Sequence, residues 1–309
     1  MREQKQALLR QLYMPAVLCT AIWGSAAPCV KKGYALFAIA AGDSFSQLVF
    51  AGWRFTLAGL LVLLVAKGMG HRIVPVRSEW KPILWISLFQ SMLQYVCYYI
   101  GLSATTGTKG SVLSGTQTFF ALLFAHLFLA NDKLNRRKTL GCLCGFAGVL
   151  VLGLGGLHGF QLRGDGLVLL SAASAGAGAL VSRIFTPGRD PMLLTGWQLL
   201  LGGLLLGGIG AAGGGRLGAV SLPGALLLAY MVMLSAAAFT IWTALLGRFP
   251  VGKVTLFGFL IPVFGTLFSA LVLGEQIFTL RNLAALALVS GGIAVANYVN
   301  EGKSSAKQA

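Results

Sequence analysis

Five polar side chains in an otherwise apolar stretch, Ser87, Gln90, Ser91, Gln94 and Tyr98, recur at intervals of three and four residues. On an α-helix that spacing puts them along one face. Amides, hydroxyls and a phenol arranged this way bind by hydrogen bonding; none is a nucleophile with a base beside it. Moving such an amide into hydrocarbon without a partner costs about 2–7 kcal/mol, so the stripe must face other helices or water. Hydrogen bonding between helices needs one or two such groups. Five in succession favour the lining of a hydrated cavity.

Other residues extend this polar set. Ser235, Phe239 and Trp242 share a helical face late in the chain, and Gln117 lies in the apolar stretch that follows the one holding Gln94. Rings turned inward could stack on a planar or cationic group; the alternative is anchoring at a membrane interface. Ser171, Ser174, Gly178 and Ser182 form a stripe of small residues, open to close packing or to lining. Arg54 sits some eight residues, about 12 Å, into its stretch, where it binds a substrate, snorkels or caps a neighbouring helix. Lys109 and Lys253 each open an apolar stretch, as boundary lysines or as partners for an anion. Glu275 closes one, able to carry a coupling proton if burial raised its pKa or to cap the next helix. His126 has no metal-ligand partner at helical spacing, and Cys142 and Cys144, two apart, point about 200° from each other on a helix. No metal site, disulfide, cofactor or catalytic set is expected.

These side chains belong to a chain of 309 residues that is 56% hydrophobic, contains 42 glycines and has only 10% charged residues. A soluble domain has about a quarter of its residues charged. Such a chain cannot cover a water-facing surface, which argues against a soluble enzyme, a disordered protein and a nucleic-acid binder. A membrane-crossing helix takes about 20 apolar residues, and ten such stretches are present: Leu12–Val30, Ser46–Ala66, Pro82–Leu102, Thr108–Leu129, Thr139–Leu157, Gly166–Phe185, Met192–Ala212, Leu222–Leu246, Val254–Leu273 and Leu280–Val299. Alternation at period two is absent, so helices rather than a barrel satisfy the backbone in lipid. The first stretch has basic residues ahead of it and Ser25-Ala26-Ala27 within it, the form of a secretory signal. Its partner later in the chain argues that it stays as a helix.

The net charge of +16 reads as orientation. With the N-terminus in the cytoplasm, 17 of the 24 basic residues fall on the cytoplasmic side, six on the other, and Arg54 lies within a span. That bias fits an even number of spans with both termini inside, and anionic lipid rather than nucleic acid as the neighbour of the charge.

Shifted by 144 residues, the chain matches itself. Gly52-Trp53-Arg54 falls on Gly196-Trp197-Gln198, Gly59-Leu60-Leu61 on Gly203-Leu204-Leu205, Tyr98 on Trp242, Lys109 on Lys253, Phe120 on Phe264 and Gly148 on Gly292. Trp23-Gly24 aligns with Ala175-Gly176 after a change of offset. A Gly-Trp pair and a lysine at one fixed offset point to duplication. Each unit holds five spans, an odd number, so the second copy enters the membrane from the opposite side. The organisation expected is all-α and integral to the membrane: residues 1–11 as a cytoplasmic segment, 12–157 as the first five-helix repeat, 158–299 as the second and inverted repeat, and 300–309 as a cytoplasmic tail.

The order of the ten spans, Trp23-Gly24-Ser25 in the first, and Pro262 followed thirteen residues on by Glu275 resemble the drug/metabolite transporter superfamily in its EamA-like ten-helix branch. The likeness runs from about Leu12 to Val299. It implies two five-helix repeats around a central polar cavity, formed by spans one, three, four, six, eight and nine, and a carrier of small metabolites, often an exporter. The first half departs from the pattern, with Thr118 and Asn131 at the positions equivalent to Pro262 and Glu275. Substrate contacts are assigned to Trp23, Ser87, Gln90, Ser91, Gln94, Tyr98, Gln117, Ser174 and Trp242, and gating or charge roles to Arg54, Lys109, Lys253 and Glu275. The function expected is secondary transport of a small polar, amino-acid-like metabolite across the cytoplasmic membrane by alternating access, as an exporter and as a monomer or homodimer. A facilitative channel and a non-transporting scaffold are the alternatives. A membrane enzyme would need a convergent acid–base or nucleophile set, and a glycine-rich nucleotide loop is missing from the sequence.

Overall fold

A computed structural model describes residues 9–40, 42–105, 110, 113–153, 161–273 and 280–297, and every regular element among them is helical. Among the described residues six helices are long and apolar enough to cross a membrane: Arg10–Leu36, Ser44–Gly68, Arg77–Leu102, Leu162–Phe185, Pro191–Ala212 and Leu222–Arg248. The stretches expected as the fourth, ninth and tenth spans hold shorter apolar helices, Leu113–Phe128, Val251–Gly265 and Leu283–Ala296.

In chain order the α-helical elements are α1 (Met14–Gly24), α2 (Ala26–Leu36), α3 (Ser44–Gly68), α4 (Arg77–Ser87), α5 (Gln94–Ser103), α6 (Gln117–Phe128) and α7 (Arg136–Gly153). They continue with α8 (Leu167–Phe185), α9 (Pro191–Ala212), α10 (Leu222–Arg248), α11 (Val251–Thr255), α12 (Leu260–Leu273) and α13 (Leu280–Asn297). The starts follow local chemistry. Asp43 accepts from Ser46 N at 3.0 Å to cap α3, Asp190 from Met192 N at 2.8 Å to cap α9, and Ser221 from Gly224 N at 3.2 Å to cap α10. Each satisfies an amide that the first turn leaves without a partner. Two apolar stretches are interrupted. Between α1 and α2 the chain breaks at Ser25, where Pro28 lacks the N–H that would continue the ladder. Between α4 and α5 a π-helical turn, Leu88–Leu93, is inserted.

Glycines set how closely the helices cross. A methyl group at Gly52 on α3 would lie 2.5 Å from Gly207 Cα and 3.0 Å from Gly203 O on α9; one at Gly59 would lie 2.4 Å from Leu200 N and 2.6 Å from Gly196 O. As one residue number rises the other falls, so α3 and α9 run antiparallel with backbones in contact. The same holds for α7 and α13: a methyl at Gly141 would lie 2.5 Å from Gly292 O, and one at Gly148 2.9 Å from Ala285 O. Gly24 on α1 rests on Phe264 and Gly265 of α12, and Gly176 of α8 rests on Phe120 and Ala121 of α6. Only a residue without Cβ allows such approaches.

One end of the helix bundle is tied by polar contacts. Asp132 pairs with Lys138, and its other carboxylate oxygen accepts from Gly252 N at 3.1 Å. Arg183 Nη1 donates to Leu246 O at 3.3 Å and Gly247 O at 2.9 Å, fastening the end of α8 to the end of α10. Tyr13 meets Phe257 edge-on, with centroids 5.4 Å apart, in a core that includes Leu12, Leu246 and Phe259.

Candidate functional site

The helices surround an open-mouthed cavity of about 590 Å³. Its walls come from α1, α2, α3, α5, α6 with Ser114 just before it, α8, α10 and α11, the π turn before α5, Gly258 in the turn that leads into α12, and Ile261 of α12 itself. Among the described residues α4, α7, α9 and α13 contribute none of the lining side chains. The stretches expected as spans one, three, four, six, eight and nine each contribute lining residues, and α3, in the stretch expected as the second, adds Gln47 and Arg54.

Of the sequence-assigned residues, the cavity gathers Trp23, Gln90, Gln94, Tyr98, Gln117, Trp242 and Arg54. Ser87, Ser91 and Ser174 lie off it. Ser87 Oγ donates to Gln198 O at 2.8 Å, and Ser91 is buried against Gly202, both toward α9. The stripe in the third span is thus two rows. Residues three apart on a helix are offset by about 60°, so Ser87 and Ser91 pack on α9 while Gln90 and Gln94 turn to the cavity. The π turn falls at this division, a common position for such turns at functional sites.

The small-residue stripe on α8 docks that turn. Ser174 Oγ donates to Phe89 O at 2.8 Å, Gly178 lies under Gln90, where a methyl would come within 3.0 Å of its Cβ, and Ser182 Oγ donates to Gln90 Oε1 at 3.2 Å. Gln90 is held with its amide oxygen engaged. Ser171, one turn earlier on the same helix, lines the cavity. The stripe divides between packing and lining.

Arg54 neither snorkels nor caps. It is 4% exposed, its Nε donates to Ser235 Oγ at 2.7 Å, and its guanidinium carbon sits 5.0 Å from the centre of the Phe55 ring. Aromatic rings continue from there: Phe55 to Phe239 at 5.9 Å, Phe239 to Trp23 at 5.3 Å and Trp23 to Trp242 at 5.1 Å, each close to edge-to-face, an arrangement favoured by the ring quadrupoles. Trp242 and Phe239 are buried, 7% and 3% exposed, which sets them apart from interfacial anchors. Trp53 is 55% exposed, whereas its repeat counterpart Trp197 packs on Trp80 and donates to Ile73 O at 2.8 Å.

Lys253 is half-buried in α11 and lies off the cavity. Lys109 and Glu275 fall outside the described residues. The wall also contains groups that periodicity alone did not single out: Tyr34, Gln47, Tyr95, Tyr99, Thr118 and Thr255. Thr118 Oγ1 donates to Thr255 O at 3.2 Å across the two halves of the chain. Tyr95 and Tyr99 follow Gln94 and Tyr98 by one residue, and the tyrosines pack on one another and on Phe55 with tilted or edge-on rings. Among the described lining residues the charged side chains are Lys31 and Arg54, both cationic.

Comparison with known proteins bears on the family and the fold. The EamA-like transporter family matches residues 12–154 and, separately, residues 162–298. Over 299 residues the chain is 27% identical to a probable amino-acid metabolite efflux pump of Salmonella typhimurium, covering 92% of this chain and 93% of that one. It is 27% identical over 253 residues to a chloroplastic WAT1-related protein of Arabidopsis thaliana, covering 78% of this chain, and spans 60% of that relative's length. A crystal structure 19% identical in sequence superposes with a TM-score of 0.73 over 92% of this chain and 94% of that one, a likeness of fold.

Proposed function

Because the chain belongs to the EamA-like transporter family, we propose that it is a secondary transporter that exports a small polar, amino-acid-like metabolite across the cytoplasmic membrane by alternating access. The cavity carries this reading. A space of about 590 Å³ lined by Gln90, Gln94, Gln117 and a chain of aromatic rings has the size and mixed chemistry of a small-molecule site. Export and an amino-acid-like cargo are further supported by the printed name of the Salmonella relative.

Two inverted five-helix halves are the architecture proposed, with ten membrane-crossing helices. The two separate family matches support it, and so does the arrangement of crossings. Shifting the pair Gly52 and Gly203 by 144 residues, forward for one and back for the other, gives the pair Gly196 and Gly59, which also touch. The pair Gly141 and Gly292 maps likewise onto Ala285 and Gly148. Gly24 on Phe264 and Gly265 is mirrored by Gly176 on Phe120 and Ala121, the alignment that needed the changed offset. Equivalent helices meeting antiparallel, with contacts that exchange when the halves exchange, are what a two-fold axis in the membrane plane produces. In this reading α3–α9 and α7–α13 are the fixed crossings, and the helices around the cavity rock between them. The termini lie in the cytoplasm by the charge bias, and the unit is a monomer or homodimer.

The test is flux. Purified protein in proteoliposomes, loaded with a panel of amino acids and related acids, should release at least one of them faster than empty liposomes, with and without a pH gradient. Gln94→Ala should lower that flux while leaving the protein folded. Flux of no panel member would support the scaffold reading, and flux without saturation would support a channel.

A further inference from the structure

We propose that Arg54 is the substrate anchor of the cavity, and that the group it takes is a carboxylate carried on a flat apolar body. The inference rests on the cavity being the substrate site, and it adds the chemistry that site selects.

The geometry around Arg54 leaves a cation with an open fork. Ser235 Oγ gives its single proton to Met231 O at 2.9 Å and accepts from Arg54 Nε at 2.7 Å. Ser235 is therefore a positioning residue: its proton is committed and its lone pair fixes the guanidinium plane. That engages one of five guanidinium N–H donors. Among the described residues no hydrogen bond from either Nη is formed, and the ion pairs join His71 to Asp190, Arg72 to Glu79 and Lys138 to Asp132, none involving Arg54. Its second contact is the face of Phe55.

Removing a charge from water without an opposing charge is costly, and a guanidinium keeps its charge in proteins. An anion entering the cavity relieves that cost. The planar fork matches a carboxylate through two parallel hydrogen bonds. The cavity wall reinforces the sign: among the described lining residues Lys31 adds a second cation, and neither Asp nor Glu is present to receive an ammonium group. From the Phe55 ring under the guanidinium the rings of Phe239, Trp23 and Trp242 continue in series as an apolar wall for the rest of the molecule, and Trp23 Nε1 is buried there without a partner.

The experiment titrates purified full-length protein in detergent with phenylpyruvate, L-phenylalanine and L-phenylalaninamide by calorimetry. The two acids should bind, and the amide at least tenfold more weakly. Arg54→Gln should weaken both acids at least tenfold and leave the amide unchanged; Arg54→Lys, which keeps the charge without the fork, should retain a smaller preference for the acids. If Arg54→Gln does not fold, the wild-type series and Arg54→Lys decide. Equal binding of acid and amide, acid binding unaffected by the Arg54 substitutions, or failure of both acids to bind would overturn the proposal. Acid binding without flux would remove the transport reading alone, and equal flux of acid and amide would remove this one alone.

Discussion

The helix crossings make a sharp prediction at Gly203. A methyl group there would lie 2.3 Å from Thr56 N, 2.6 Å from Thr56 Oγ1 and 2.8 Å from Phe55 C. Two of the three atoms are backbone, so no side-chain rotation relieves the overlap and α9 must move away from α3. Ordinary contact begins near 3.4 Å, which requires a local separation of about 1 Å at the crossing. Overpacking of this kind costs about 1–3 kcal/mol. Replacing glycine by alanine within a helix also returns up to about 1 kcal/mol of propensity, and Gly208 isolates that term, since a methyl there meets nothing within 4 Å. Gly208→Ala should therefore hold or raise the melting temperature in detergent, whereas Gly203→Ala should lower it by several degrees relative to Gly208→Ala. Arg54 and Phe55 immediately precede the displaced Thr56, so Gly203→Ala should also weaken substrate binding. By the same contacts Gly59→Ala, 2.4 Å from Leu200 N, should behave as Gly203→Ala does. Equal melting temperatures for Gly203→Ala and Gly208→Ala would refute the close backbone crossing.

Three further outcomes follow. Ser91 Oγ is buried with no partner whereas Ser87 Oγ donates to Gln198 O, so thermal denaturation should find Ser87→Ala less stable by about 0.5–1.5 kcal/mol and Ser91→Ala unchanged or more stable. Lys138→Met strands the carboxylate of Asp132, which is 4% exposed, and should cost about 3–5 kcal/mol. Asp132→Asn, which keeps an acceptor for Gly252 N, should cost less in the same melts. Ser182→Ala frees the Gln90 amide from its 3.2 Å bond and should raise the apparent KM for transport with a smaller change in melting temperature, measured by initial-rate flux against substrate concentration.

The sequence carried the architecture further than the site, for physical reasons. A burial pattern in lipid is written as unbroken apolar runs, and backbone contact is written as glycine, so the long apolar helices and the close contacts at Gly52, Gly59, Gly141 and Gly148 are legible in the sequence. Even the shifted match of Gly24 with Gly176 marks a shared contact, on Phe264 and on Phe120. The site was half legible. Gln90, Gln94 and Tyr98 stood out because amides in an apolar run need a reason, but helical spacing cannot separate rows 60° apart, and the π turn at Leu88–Leu93 has no signature in periodicity. Spacing therefore groups Ser87, Ser91 and Ser174 with the lining, whereas the structure packs them between helices. Tyr34, Tyr95 and Tyr99 escaped because tyrosine is common at membrane interfaces. Arg54 was ambiguous until Ser235, 181 residues away in sequence, supplied its partner.

Access to the cavity is the most direct measure of the central claim. Ala175 on α8 lines it, so Ala175→Cys in a background without other cysteines gives a reporter for membrane-impermeant thiol reagents applied to each side of oriented proteoliposomes. Alternating access predicts labelling from one side at rest, a shift toward the other side under a substrate gradient, and protection by bound substrate at either. Labelling from both sides at once under all conditions, or none from either, would contradict it.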